Sequence, residues 1–137
     1  MLRSIGAVAA GLIVTFVLIM ATDAVLRLLL PGAFAPDGRV TSVPVLLGTQ
    51  LYVACFAILG TYLTARLAPS HPMRHALALG LIALIASIPG TIAYWSSAPA
   101  WYHVLALSLV MPLAWAGGRL RVRQLERRAA LGSPLAA

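Results

Sequence analysis

The chain has 137 residues, 61% of them hydrophobic and only 9% charged, with a mean hydropathy of +0.95. Soluble domains carry about 25% charged residues, and ten arginines with three acids cannot clothe a water-facing surface of this size. That excludes an ordinary cytosolic enzyme, a nucleic-acid-binding domain and a disordered segment, and it places the chain in a bilayer.

About 20 residues cross a hydrocarbon core about 30 Å thick, so four spans with short connections use nearly the whole chain. Residues 1–137 therefore read as a single transmembrane domain. The first span is expected over about Ile5–Leu30, closed by Pro31-Gly32, with Asp23 and Arg27 near its far end. Arg3 followed by an apolar run, with Ala33-Phe34-Ala35 beyond it, imitates a signal peptide. A signal h-region is only about 7–15 residues long, and the longer run reads as a retained helix. Pro31 to Ser42, with Asp37 and Arg39, forms a polar connection. The second span is expected over Val43–Leu67 and stops at Ala68-Pro69-Ser70. The third follows His71-Pro72, covers 73–92 and carries Pro89-Gly90 in its last turns. Ser96-Ser97-Ala98-Pro99 connects it to a fourth span over 101–120, ending in Gly117-Gly118-Arg119. Residues 121–128 can continue as a short helix, and 131–137 are expected to fray. Proline inside a helix removes a backbone donor and favours a kink, so Pro89 and Pro112 mark expected bends.

Orientation follows from the arginines near the span ends, because positive charge is retained on the cytoplasmic side. Arg3, Arg66, Arg74, Arg119, Arg121, Arg123, Arg127 and Arg128 fall on one side, and only Arg27 and Arg39 on the other. The N- and C-termini are therefore expected in the cytoplasm. Tyr94, Trp95, Trp101 and Tyr102 crowd the opposite interface, where amphipathic rings settle at headgroup level. All ten basic residues are arginine and Ala and Leu supply 25 residues each, a composition of GC-rich bacterial genomes. The expected location is a bacterial inner membrane.

Asp23 is the one carboxylate within an expected span, and ionisable groups in a bilayer are costly enough to point to function. Arg27 lies one helical turn on, on nearly the same face. At 1.5 Å per residue, Asp23 stands roughly 10 Å below the outer helix end, with Gln50 at similar depth in the second span. His103 enters the fourth span from the same side. Asp23, Arg27, Gln50 and His103 form a candidate outer-leaflet polar cluster, assisted by Thr22, Thr49 and Thr91, for a proton, cation or polar headgroup. The competing expectation is a structural ion pair whose side chains snorkel to the surface.

Other polar features are weaker. His71 and His75 have i, i+4 spacing, but a metal wants three or four ligands, and neither metal nor cofactor is expected. The single Cys55 has no partner for a disulfide within the chain. The basic tail, Arg119, Arg121, Arg123, Arg127 and Arg128, has two readings: a plain topology anchor, which is the expectation, or a lipid-facing patch that binds anionic headgroups, where each arginine near the surface contributes about 1 kcal/mol. Ala7-x-x-x-Gly11, Ala76-x-x-x-Gly80, Ala86-x-x-x-Gly90 and Ala114-x-x-x-Gly118 are small-residue pairs of the kind that let helix backbones approach in lipid. They serve a bundle or a homo-oligomer equally well.

Gly60-Thr61-Tyr62-Leu63-Thr64-Ala65-Arg66-Leu67-Ala68-Pro69, then His75-Ala76-Leu77 and Leu79-Gly80, then Pro99-Ala100-Trp101-Tyr102, and finally Pro112-Leu113-Ala114-Trp115-Ala116-Gly117-Gly118-Arg119-Leu120 form a run of motifs. Over its last three spans the chain thereby resembles a group of small four-helix bacterial inner-membrane proteins with the pattern GGYLTARLAP, PAWY and P-x-AW-x-GGRL. It departs at Thr61, where that pattern has a second glycine. The likeness implies a fold and a membrane but no activity. The expectation is an all-α, four-transmembrane-helix bundle that is not an enzyme. It is read as a structural or accessory subunit acting through helix contacts, in a homo-oligomer or beside a larger membrane protein, with no nucleic-acid partner. The alternative is a small oligomeric proton- or ion-coupled transporter or channel using Asp23.

Overall fold

The computed structural model describes residues 2–33, 35, 39–40 and 42–132. Among them lie four α-helices, α1 (Leu2–Leu29), α2 (Val43–Leu67), α3 (Pro72–Ala93) and α4 (Ala100–Gly132), with 3-10 turns at Pro31–Ala33 and Trp95–Ser97. All four are long and apolar enough to cross a membrane. Phe34 of the cleavage-like tripeptide, Asp37 of the first connection and the tail past Gly132 lie outside the described residues.

Proline sets most boundaries. Pro44 sits in the first turn of α2 and Pro72 opens α3, positions where a missing N–H is harmless and the fixed φ favours a helix. Pro69 forces Ala68 out of the helical region, and Ala68 is extended at φ −61° and ψ 131°. His71, trapped between the two helices, takes a left-handed conformation at φ 46°. Pro89 and Pro112 are accommodated inside α3 and α4, which remain continuous helices through both.

α4 differs from the sequence expectation. It does not stop near Leu120 but runs unbroken to Gly132 over 33 residues, about 50 Å at 1.5 Å per residue. The reason is local. Arg, Leu, Gln, Glu and Ala are all strong helix formers, and they fill almost all of 119–131, so the basic tail is a helical extension of the span.

The helices run antiparallel in sequence, so the start of α1, the α2–α3 connection and the end of α4 share one end of the bundle, called proximal here. The two longer connections share the distal end, where the Val40 N–H donates to the Ser97 carbonyl at 2.9 Å and ties them together. α2 and α3 are central, with α1 packed against both on one side and α4 against both on the other.

The interior is made of small residues. The buried hydrophobic side chains among the described residues are Ala7, Leu46, Ala65, Ala76, Leu79 and Ala114, and Thr64 is fully buried beside them. Large apolar side chains point outward instead, with Phe16 62% exposed, Ile85 60% and Ile92 71%. In water such a surface would be one continuous apolar patch. In hydrocarbon it costs nothing, and close backbone approach becomes the packing force. The chain is a multi-pass membrane protein.

Three of the four small-residue pairs are used inside the bundle. A Cβ added at Gly11 would collide with Thr64 Oγ1 and stand 2.6 Å from the Gly60 carbonyl oxygen; one at Gly80 would meet the Ala114 Cβ at 2.5 Å; and one at Gly118 would meet the Ala76 Cβ at 2.9 Å. Ala86 and Gly90 make no such contact: both are exposed, and nothing lies within 4 Å of a Cβ at Gly90. Hydroxyls reinforce the crossings. Thr64 Oγ1 donates to the Ala7 carbonyl at 3.1 Å, and Thr15 Oγ1 donates to its own Gly11 carbonyl at 2.8 Å and reaches the Phe56 carbonyl at 3.4 Å.

Candidate functional site

At the distal end, where α1 and α4 flank α2, a cavity of about 590 Å³ opens. Met20, Asp23, Leu26 and Arg27 of α1 form one wall, Leu46, Thr49 and Tyr52 of α2 the floor, and Tyr102 of α4 the far side; Val40, Tyr94, Ser97 and Ala98 of the two connections close over it. The tie between Val40 and Ser97 therefore forms part of the roof.

Helical periodicity places the polar groups. Asp23 and Arg27 are one turn apart on α1 and both line the cavity, with Asp23 half-buried and Arg27 exposed. Asp23 stands six residues from the end of α1, about 9 Å along the axis. Thr49 and Tyr52 are three residues apart and share a face of α2. The Tyr52 hydroxyl donates to Asp23 Oδ1 across the α1–α2 crossing, which orients the carboxylate and satisfies one of its acceptors. Thr49 Oγ1 donates to its own Val45 carbonyl at 3.0 Å. An ionised carboxylate that accepts from one tyrosine hydroxyl keeps further acceptor sites in a cavity also lined by Arg27, Tyr94 and Tyr102, and a charge-assisted hydrogen bond of this kind is stronger than a neutral one.

Gln50 and His103 do not line the cavity. Gln50, 7% exposed, falls on the buried stripe of α2 one turn from Leu46 and faces the bundle. His103, also 7% exposed, is occupied by the α3–α4 connection. Its Nε2 lies 3.1 Å from the Trp95 carbonyl oxygen, and its ring stacks on the Trp95 indole at 5.0 Å. That contact braces the connection bearing Tyr94, Ser97 and Ala98. Thr22 and Thr91 likewise stand apart from the cavity lining. The four-residue cluster expected from depth alone is thus two residues in the cavity and two in packing roles.

Tyr52 and Tyr102 take the vacated places. Tyr52 lies outside the cluster expected from the sequence, although a phenol at the depth of Asp23 in a neighbouring span is a usable signal. Tyr102 is one of the four interfacial aromatics, of which it and Tyr94 line the cavity. At the proximal end His71 and His75 belong to the start of α3, where His75 Nδ1 lies 3.2 Å from the His71 carbonyl oxygen. Among the described residues no three His, Cys, Asp or Glu side chains gather in a way that could hold a metal ion.

The basic tail is divided by α4. Arg123 and Arg127 line an open groove of about 670 Å³ between α2 and α4, together with Cys55, Ile58, Leu59, Tyr62, Leu120 and Gln124. Arg119 and Arg121 are half-buried, the Arg121 Nε lacking a hydrogen-bond partner, and Arg128 is exposed; none of the three lines the groove. Comparisons with protein-family models, characterised proteins and solved structures return no match.

Proposed function

We propose that this chain is a non-enzymatic inner-membrane protein of a bacterium, with both termini cytoplasmic, that takes up a proton or small cation at Asp23 from the outer face. It acts as a small transporter or channel. The observation that carries this reading is the Asp23 carboxylate, held by the Tyr52 hydroxyl inside a distal cavity large enough for several waters or a small ligand. A half-buried carboxylate at membrane depth is otherwise expensive. The eight arginines on the proximal side against two on the distal side support the orientation, and the resemblance to small four-helix inner-membrane proteins supports the location.

The direct test is proton or cation flux into proteoliposomes holding the full chain, comparing native protein with Asp23→Asn and Tyr52→Phe. Flux is expected in the native chain, abolished by Asp23→Asn and reduced by Tyr52→Phe. Flux that is absent, or indifferent to Asp23→Asn, overturns the transport reading.

A second reading, the accessory subunit acting through helix contacts, is favoured by α1. It lies at the edge of the bundle, with Gly6 open and Ile5, Ile13 and Phe16 turned outward. Its test is copurification of a stoichiometric membrane partner, lost when Gly6 is changed to Leu.

A further inference from the structure

The groove at the proximal end has two unlike halves. Toward the bilayer centre its walls are apolar, from Ile58 and Leu59 of α2 and Leu120 of α4; toward the proximal interface it is lined by Arg123 and Arg127. The Tyr62 hydroxyl donates to Gln124 Oε1 at 2.8 Å and staples α2 to the extension of α4 between these halves. No carboxylate is among the groove's lining residues.

Register sets the depth. A Cβ at Gly117 would collide with Thr61 Oγ1 and stand 2.6 Å from the Ile58 carbonyl oxygen, so Gly117 is level with this stretch of α2. Arg123 lies six residues further along α4 and Arg127 ten, about 9 and 15 Å along the axis. α2 ends at Leu67, six residues past Thr61, so Arg123 stands level with its last turn and Arg127 just beyond. Side chains on a helix lean toward its N-terminus, and α4 runs outward here, so both guanidiniums lean back over the groove.

We infer that this groove is a binding site for one acidic phospholipid, whose phosphate is held by Arg123 and Arg127 and whose acyl chain lies along Ile58, Leu59 and Leu120. The occupant follows from charge complementarity: two guanidiniums in a groove whose lining residues include no carboxylate fit a phosphate bidentately, and the apolar half fits a hydrocarbon chain. This differs from a diffuse basic tail, because it separates the two arginines in the groove from Arg119 and Arg128 outside it.

Native mass spectrometry of the detergent-solubilised full chain, titrated with phosphatidylglycerol or phosphatidylcholine of identical acyl chains, tests the inference. One phosphatidylglycerol per chain is expected, retained in preference to phosphatidylcholine. Arg123→Gln with Arg127→Gln should weaken it about thirtyfold, at about fivefold for each arginine removed. Arg119→Gln with Arg128→Gln, an equal loss of charge, should change it far less. Leu59→Trp, which fills the apolar half without altering charge, should also weaken retention. Equal loss in the two double variants, equal retention of the two lipids, indifference to Leu59→Trp, or displacement by equimolar glycerol phosphate would each overturn the site.

Discussion

Single side chains decide matters in this protein chiefly through where their polar atoms are spent. Asp23 and Tyr52 come from spans that meet only after folding, and the hydrogen bond between them lies in the wall of the distal cavity. Thr64 is the structural counterpart: fully buried, it donates across the α1–α2 crossing to a backbone carbonyl. Thr64→Val keeps the shape and removes the donor. Interhelical bonds of this kind average about 0.6 kcal/mol and reach about 1.7, and the loss at a fully buried hydroxyl is expected near the upper figure. Thr64→Ser should retain most of it, and steric-trapping or detergent-unfolding measurements compare the three chains directly. The threonines were visible in the sequence, but their direction was not, since a threonine hydroxyl can instead bond within its own helix; Thr61, for example, donates to its own Ala57 carbonyl at 2.8 Å.

At the scale of elements, glycine spacing divides into positions that hold helices together and positions that hold nothing. Gly11→Ala and Gly117→Ala push a methyl group toward the neighbouring backbone, where the carbonyl oxygens of Gly60 and Ile58 each stand 2.6 Å from the new Cβ. Overpacking of this kind costs about 1–3 kcal/mol, so both variants should unfold earlier in thermal scans in detergent. Gly48→Ala and Gly90→Ala meet open space and gain the helix preference of alanine, about 1 kcal/mol at most. The opposite signs are the test: a uniform loss across all four would mean the crossings are not where glycine is needed. The motif Ala86-x-x-x-Gly90 is indistinguishable by spacing from the three that pack, because an i, i+4 pattern says which residues share a face but not what that face meets.

For the whole molecule the inside is smaller than the outside, and substitutions should follow that inversion. Phe16 and Trp115 are 62% and 53% exposed, so in a bilayer they exchange one apolar neighbour for another on unfolding. Phe16→Ala is expected to change stability little, far from the about 3–5 kcal/mol of a core phenylalanine in water. Ala114→Leu, by contrast, drives a large side chain into the Gly80 contact and should disrupt the α3–α4 pairing. Trp115 fluorescence in liposomes with brominated acyl chains should be strongly quenched, which checks the outward orientation independently.

The four spans, their boundaries apart from the far end of α4, and their mutual antiparallel order were determined by the sequence alone, because runs of hydrocarbon side chains and prolines act on the residues that carry them. So was the placement of Asp23 and Arg27 on one face, which needs only helical periodicity. Depth, however, is shared by every residue in a layer of the bilayer, and depth alone made Gln50 and His103 equal candidates with Asp23. Only the rotation of each helix about its own axis, set by which glycines and threonines interlock, turned Gln50 inward, gave His103 to Trp95 and brought Tyr52 and Tyr102 to the cavity. The same rotation selected Arg123 and Arg127 from five arginines for the groove. Rotation is a property of helix pairs, and no single span contains it.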